Sequence, residues 1–386
     1  MEEWKEYKLG EVCSRLRSGK GIKANSIFNT GRYPVIGGNG VRGYANESNF
    51  EGQAAIIGRQ GAYCGNVRFF EGEAYMTEHA VVAVGNELAD TRFLACLLSI
   101  MHLGNLSAQS AQPGISVQTL SKQIVRLPSV SYQKKVSKII KSLDDKIEVN
   151  KRINDNLEQQ AQALFKSWFI DFDPFKGGEF EETELGFIPK DWKVVSLSAI
   201  ADYINGLAMQ KYRPMDGESG LPVLKIKELG QGRTDNSSEL CSPSLIGSKY
   251  IIDDGDIIFS WSGTLMVKIW CGGKCGLNQH LFVVEPNNHP DWFAYQWTKH
   301  HLDNFIHIAK DKAVTMGHIK RGELDKAKVV VPDETNMATI DLMMKPIHNQ
   351  IISNMKESRR LASLRDTLLP RLMSGELKVN EIENVI

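Results

Sequence analysis

"VSKIIKSLDDKIEVNKRINDNLEQQAQALFKSW", residues 136–168, places Val136, Ile140, Leu143, Ile147, Asn150, Asn154, Leu157, Ala161, Leu164 and Trp168 at steps that alternate between four and three. That is the heptad period of a helix that buries one seam against another helix. At ~1.5 Å per residue such a helix is about 50 Å long. A second seam follows the same rule through Ile340, Met344, Ile347, Ile351, Asn354, Ser358, Leu361, Arg365, Leu368 and Leu372. Its polar break falls where the first one does, because Asn150 corresponds to Asn354. Two seams with matching polar breaks are best satisfied by each other, so Asn150 and Asn154 are expected opposite Asn354 and Ser358. Buried Asn costs stability but fixes register. Connectivity favours antiparallel packing, since the second helix must run back.

The rest of the chain is duplicated in step with the seams. "EEWKEYKLGEV" at the start corresponds to "KDWKVVSLSAI", with Trp4 on Trp192 and Leu9 on Leu197. "YPVIG" corresponds to "LPVLK", "AIIGRQG" to "IIFSWSG" with Gly61 on Gly263, and "LSKQIVRLP" to "LDKAKVVVP" with Pro128 on Pro332. Within each copy, short β-type runs separated by Gly, Asn and Ser come first. One apolar helix pattern follows, at 90–103 and at 291–308. These features predict an α+β class with an internal pseudo-two-fold repeat: two globular heads of short strands and helices, separated by two long antiparallel coiled-coil helices. The expected boundaries are a first head at 1–130, a helix at 131–172, a linker at 173–190, a second head at 191–332 and a second helix at 333–378.

With 386 residues the chain is too long for one ordinary core. No apolar run reaches membrane-spanning length and the N-terminus is charged, so no membrane segment or signal peptide is expected, and the expected compartment is the cytoplasm. Lys+Arg and Asp+Glu number 46 each, which excludes a global field drawing the chain to nucleic acid and leaves only local patches. Of the cysteines only Cys271 and Cys275 are close, without the further ligands of a zinc site. His300 and His307 share a helical face with no third ligand beside them. No metal is expected.

Gly38, Gly40 and Gly43 in "VIGGNGVRGY" match G-x-G-x-x-G, yet no helical pattern follows and no acidic residue stands about 20 positions on. The glycines predict a tight turn, set opposite "LKIKELGQGR" in the second copy, where a Gly-x-Gly turn with an arginine is expected too. "DFDPF" (171–175) has one proline after the helix and reads as a helix stop rather than as a methyltransferase motif. No phosphate-binding loop, acidic nuclease cluster or nucleophile-base pair is present, so the chain is expected to be catalytically silent.

"ETELGFIPKDWK" (182–193), "ALFKSWFIDFDPF" (163–175), "AQPGISVQTLSKQIVRLP" (111–128) and "LLPRLMSGEL" (368–377), in a chain ordered head, helix, head, helix, resemble the specificity subunit of type I restriction-modification systems. The resemblance covers essentially the whole chain. It implies that the heads are target-recognition domains, each reading one half of a bipartite asymmetric sequence in double-stranded DNA, and that the helices set the gap. It also implies partners: two modification subunits carrying S-adenosylmethionine, and restriction subunits using ATP and magnesium. No cofactor is implied on this chain. A coiled-coil adaptor with two protein-binding heads is the alternative reading.

Base readout uses Arg, Lys, Asn or Gln on positioned loops, and phosphates attract Lys, Arg and Ser. The first head offers Lys20, Lys23, Arg42, Arg59, Gln60, Gln109, Ser110 and Gln112 as candidate DNA contacts. The second offers Lys211, Arg213, Arg233, Trp261, Ser262, Lys310, Lys312, Thr315, His318 and Lys320. The near balance of acid and base in the first head predicts weak DNA binding by the chain alone.

Overall fold

The computed structural model describes residues 3–107, 113–311 and 318–379. The chain divides into two compact units, Met1–Asp145 with Ala362–Ile386, and Lys146–Leu361. Two long helices, Val130–Phe169 and Glu334–Ser374, each contribute one part to either unit. Both start just after the prolines at 128 and 332, which end the preceding strands Ile124–Leu127 and Lys328–Val331. Asp333 opens the second helix by accepting from the N–H groups of Thr335 and Asn336, both at 3.0 Å. Val130–Phe169 ends with Phe172 in the left-handed region at φ 51, so "DFDPF" is a helix stop. Its Phe175 packs on Trp192.

In the first unit the strand order is Cys13–Ser18, Ala80–Gly85, Phe50–Gly58, Val67–Met76, Tyr33–Gly37, Gly40–Ala45, and only the Tyr33–Gly37 to Val67–Met76 pairing is parallel. Helix Thr91–Ile100, capped by the Asp90 carboxylate at 2.9 Å from the Phe93 N–H, lays Phe93, Leu94, Leu97 and Leu98 over that sheet. The core continues onto the helix ends through Val136, Ile140 and Leu372. The two chain segments are joined here by Tyr132, whose hydroxyl donates to the Leu377 carbonyl at 3.2 Å, and by Arg365, which pairs with Asp144 at 2.9 Å.

The second unit repeats the plan. Ala201–Asn205, Leu281–Pro286, Ile257–Ser260 and Met266–Ile269 occupy the places of the first four strands, in the same order and all antiparallel. The long strand Val67–Met76 is here split into Met266–Ile269 and Cys275–Leu277, with "WCGGK" between them. The second piece keeps the parallel pairing, now to Leu221–Leu224, in a separate four-stranded sheet. Cys271 and Cys275 are free thiols packed in this region, and burial pushes them up to about 11 and about 12. The core is aromatic: Phe165 and Phe169 of the long helix meet Trp192, Trp292, Phe293 and Trp297.

Three sequence expectations change. The helix expected over 291–308 is two helices, Asp291–His300 and Leu302–Asp311, because the His301 ring meets the Lys328 carbonyl at 2.8 Å and ties the break to the neighbouring strand. "LKIKELGQGR" is not a turn like "VIGGNGVRGY": it holds the helix Ile226–Gln231, closed by Gly232 at φ 71. The polar layer between the long helices also pairs differently. Asn354 donates to Asn154 at 2.8 Å, but Asn150 donates to Glu357 at 2.6 Å rather than meeting Asn354 or Ser358. The carboxylate of Glu357 reaches further than a seryl hydroxyl, and Lys146 supplies its counter-charge at 3.4 Å.

Candidate nucleic-acid interface

At one end of the first sheet three strand ends and one loop are tied together through backbone hydrogen bonds. Gly19 N–H donates to the Ala80 carbonyl at 3.0 Å and Lys20 N–H to the Met76 carbonyl at 2.9 Å. Arg59 N–H donates to the His79 carbonyl at 2.9 Å, and Ile115 N–H returns to the Arg59 carbonyl at 3.0 Å. A bridge joins Gln60 to Gly114. Any side chain at position 19 would place its Cβ 2.0 Å from the Met76 carbonyl oxygen, so the close approach requires glycine.

The second unit builds the same frame. Gly206 N–H donates to the Leu281 carbonyl at 3.0 Å, Leu207 N–H to the Leu277 carbonyl at 2.9 Å and Ile319 N–H to the Trp261 carbonyl at 3.2 Å. A bridge joins Ser262 to His318. Position 206 is again closed to a Cβ, which would lie 2.3 Å from the carbonyl oxygens of Leu277 and Asn278. Corresponding positions therefore carry Lys20 and Leu207, Arg59 and Trp261, Gln60 and Ser262, His79 and His280, Gly114 and His318. The backbone repeats while most of the side chains differ.

Around the first frame the chemistry is hydrogen-bonding. Gln60 is exposed, with its Oε1 at 3.2 Å from His79 Nδ1, and half-buried Arg59 reaches Ser18 Oγ at 3.5 Å. Lys20 and Arg42 are exposed, and Arg42 lies in the hairpin Tyr33–Gly37/Gly40–Ala45 with its stem against Gly37. Gly40 and Gly43 have φ of 103 and 146 there, and the hairpin opens no helix. Arg68 pairs with Asn39 of the same turn at 3.2 Å. Around the second frame Trp261 is half-buried and donates its indole N–H to Asn205 Oδ1 at 3.0 Å. Its ring lies 5.7 Å from Phe282 and 6.2 Å from both His280 and His318.

Among the sequence candidates, Lys20, Arg59 and Gln60 meet in the first frame, and Trp261, Ser262 and His318 meet in the second. Ser262 is only 5 % exposed and contributes backbone. Lys320 is exposed two residues beyond His318. The others lie apart from the frames: Lys23 opens the short helix Ala24–Ser26, Lys211 ends Met209–Lys211, Arg213 is held by Glu239 at 3.2 Å, Arg233 follows Gly232, and Lys310 lies on Leu302–Asp311. Gln109, Ser110, Gln112, Lys312 and Thr315 fall outside the described residues. Composition did not single out His79, His280, Asn205, Asn39 or Arg68. A signal existed for the histidines: "MTEHA" and "LNQHL" occupy the same turn in the two copies.

His300 stands against aromatic rings rather than other ligands. It packs 5.4 Å from Trp297 and 5.8 Å from Phe165, and burial holds it below the ordinary imidazole range. Among the described residues no group of His, Cys, Asp and Glu could hold a metal ion, and no helix is long and apolar enough to cross a membrane.

Known proteins resemble this chain in sequence and in fold. The family model described as the type I restriction modification DNA specificity domain matches twice, over residues 1–159 and 189–358. The type I restriction enzyme MjaIX specificity subunit of Methanocaldococcus jannaschii is 28 % identical over 73 % of this chain and 67 % of its own length. The HindI specificity subunit of Haemophilus influenzae is 24 % identical over 98 % of this chain and all of its own length. In fold, the chain resembles the crystal structure of the type I restriction-modification S subunit from M. genitalium, with a TM-score of 0.57 over 96 % of both chains at 15 % identity. With two matched domains covering most of its length, this chain belongs to the type I restriction-modification DNA specificity family.

Proposed function

We propose that this chain reads a bipartite, asymmetric double-stranded DNA target, one half through each loop frame, and docks two modification subunits and the restriction subunits of its complex. In this reading S-adenosylmethionine, ATP and magnesium act on those partners, and the chain supplies recognition alone. One observation carries the reading: the two frames repeat three backbone hydrogen bonds and one bridge at matched positions, while Arg59 and Gln60 stand in one unit where Trp261 and the buried Ser262 stand in the other. A fixed backbone with exchanged side chains is how one scaffold comes to read two sequences.

The first frame suits purine readout. A guanidinium donates to guanine O6 and N7, and a carboxamide pairs with adenine N6 and N7 in the major groove. The His79 contact fixes the rotamer of Gln60, which lowers the entropy lost on binding. In this reading Lys20 and Arg42 beside the first frame and Lys320 beside the second meet phosphates, and the more distant Lys23, Lys211, Arg233 and Lys310 add to them. Because acid and base balance over the whole chain, much of the phosphate neutralisation falls to the partner subunits.

Methylation mapping in cells carrying the chain with its partners tests this. The expected motif has two different halves around a fixed gap. Arg59→Ala combined with Gln60→Ala relaxes one half by about 30-fold or more, the equivalent of ~1–3 kcal/mol for each of two bidentate contacts, and leaves the other half intact. A palindromic motif, or an unchanged motif in the double variant, overturns the proposal.

A further inference from the structure

Trp261 stands at the backbone position that Arg59 holds in the first unit, so the two frames meet DNA with opposite chemistry. The indole has one donor and no acceptor. That donor is already committed to Asn205 at 3.0 Å, which leaves the side chain nothing with which to hydrogen-bond a base edge. Half-buried and ringed by Phe282, His280 and His318, it is also fixed in position. Insertion between base pairs needs a wedge that projects free of its own fold. What a pinned, partly exposed ring offers is a rigid apolar surface.

On the major-groove edges of the four base pairs the one apolar group is the 5-methyl of thymine. We infer that the second unit reads a thymine in its half-site by packing the Trp261 ring on that methyl group, with Asn205 as the residue that positions the ring. The inference rests on the proposed DNA reading by the loop frames and adds the chemistry of one of them. It makes the two halves differ in kind: one specified through donors and acceptors, the other in part by a methyl group.

The test uses the complete complex with its modification subunits and duplexes carrying the mapped target. Each thymine is replaced singly by deoxyuridine, which keeps every hydrogen-bonding group and removes only the methyl. One thymine, in the half left intact by the Arg59/Gln60 variant, should lose about fourfold in binding when replaced, corresponding to ~0.8 kcal/mol for one buried carbon. Trp261→Ala should abolish that difference, while Trp261→Phe, which keeps a ring but loses the Asn205 bond, and Asn205→Leu should each reduce it. A half-site without thymine, no sensitive position in the wild-type complex, or an undiminished difference in Trp261→Ala each overturns the inference. The wild-type scan needs no variant to fold. If the Arg59/Gln60 variant relaxes its own half while no deoxyuridine matters, the inference alone fails. If that variant changes nothing, the reading beneath it fails.

Discussion

Replacing Asn354 by leucine should destabilise the second unit, and replacing Asn154 as well should restore much of the loss. Asn354 is 6 % exposed and gives its carboxamide N–H to Asn154 Oδ1 at 2.8 Å, while Asn154 gives its own to the Ile351 carbonyl at 3.0 Å. Asn354→Leu orphans the Asn154 oxygen inside the seam, and a buried acceptor without a donor costs ~1–3 kcal/mol. Asn154→Leu likewise strands the Asn354 amide. The double variant removes both polar groups and fills the layer with apolar volume, which is neutral to stabilising where a polar pair has been replaced whole. The coupling between the two sites should therefore be at least ~1 kcal/mol. Guanidinium unfolding followed by tryptophan fluorescence reads the correct unit, because every tryptophan but Trp4 lies between Lys146 and Leu361. Costs that add within about 0.5 kcal/mol would refute the pairing as a stabilising unit.

Two further outcomes follow from the helices and the histidines. Inserting one heptad into each long helix adds about 10.5 Å, or three base pairs at ~3.4 Å, so methylation mapping should show the gap lengthened by about three with both halves unchanged; a changed half-site would contradict the spacer role. His289, His300, His301 and His348, all in the second unit, are held below the ordinary value of 6.5, each chiefly by burial. Depressed values mean that the unfolded chain binds the protons first, so this contribution is full above about pH 6.5 and is lost as the pH falls towards the folded values. Melting followed by tryptophan fluorescence should fall from pH 7 to 5, less steeply in His348→Gln, and a flat profile would count against these buried rings.

The seam at Val136–Trp168 was legible because a heptad period is a property of residue type and spacing alone, and both long helices run as that spacing dictates. The duplication was legible for the same reason, since strands that bury the same face must repeat the same apolar pattern. What failed was local geometry set by a distant contact. Nothing within 291–308 announces a break at His301, because the cause is a carbonyl at Lys328. Nor could seam positions foretell that Asn150 would choose Glu357, which lies off the seam and is selected by reach and by Lys146.

The interface divides along the same line. Choosing candidates by charge takes in Arg59 and Lys20, which stand at the first frame, together with others such as Arg213 that lie in ion pairs elsewhere. Comparing the two copies by backbone partner is more selective. Gly19 and Gly206 carry no charge and no pattern, yet each is forced by a carbonyl that leaves no space for a Cβ. Once those glycines fix the register between copies, the residues that differ at matched positions identify themselves. Arg59 against Trp261 is then a difference that the scaffold permits, since the carbonyl of each accepts from the matched isoleucine, Ile115 or Ile319. A difference that costs the fold nothing, at a position presented on a rigid frame, is where a change of recognition can arise without a change of structure.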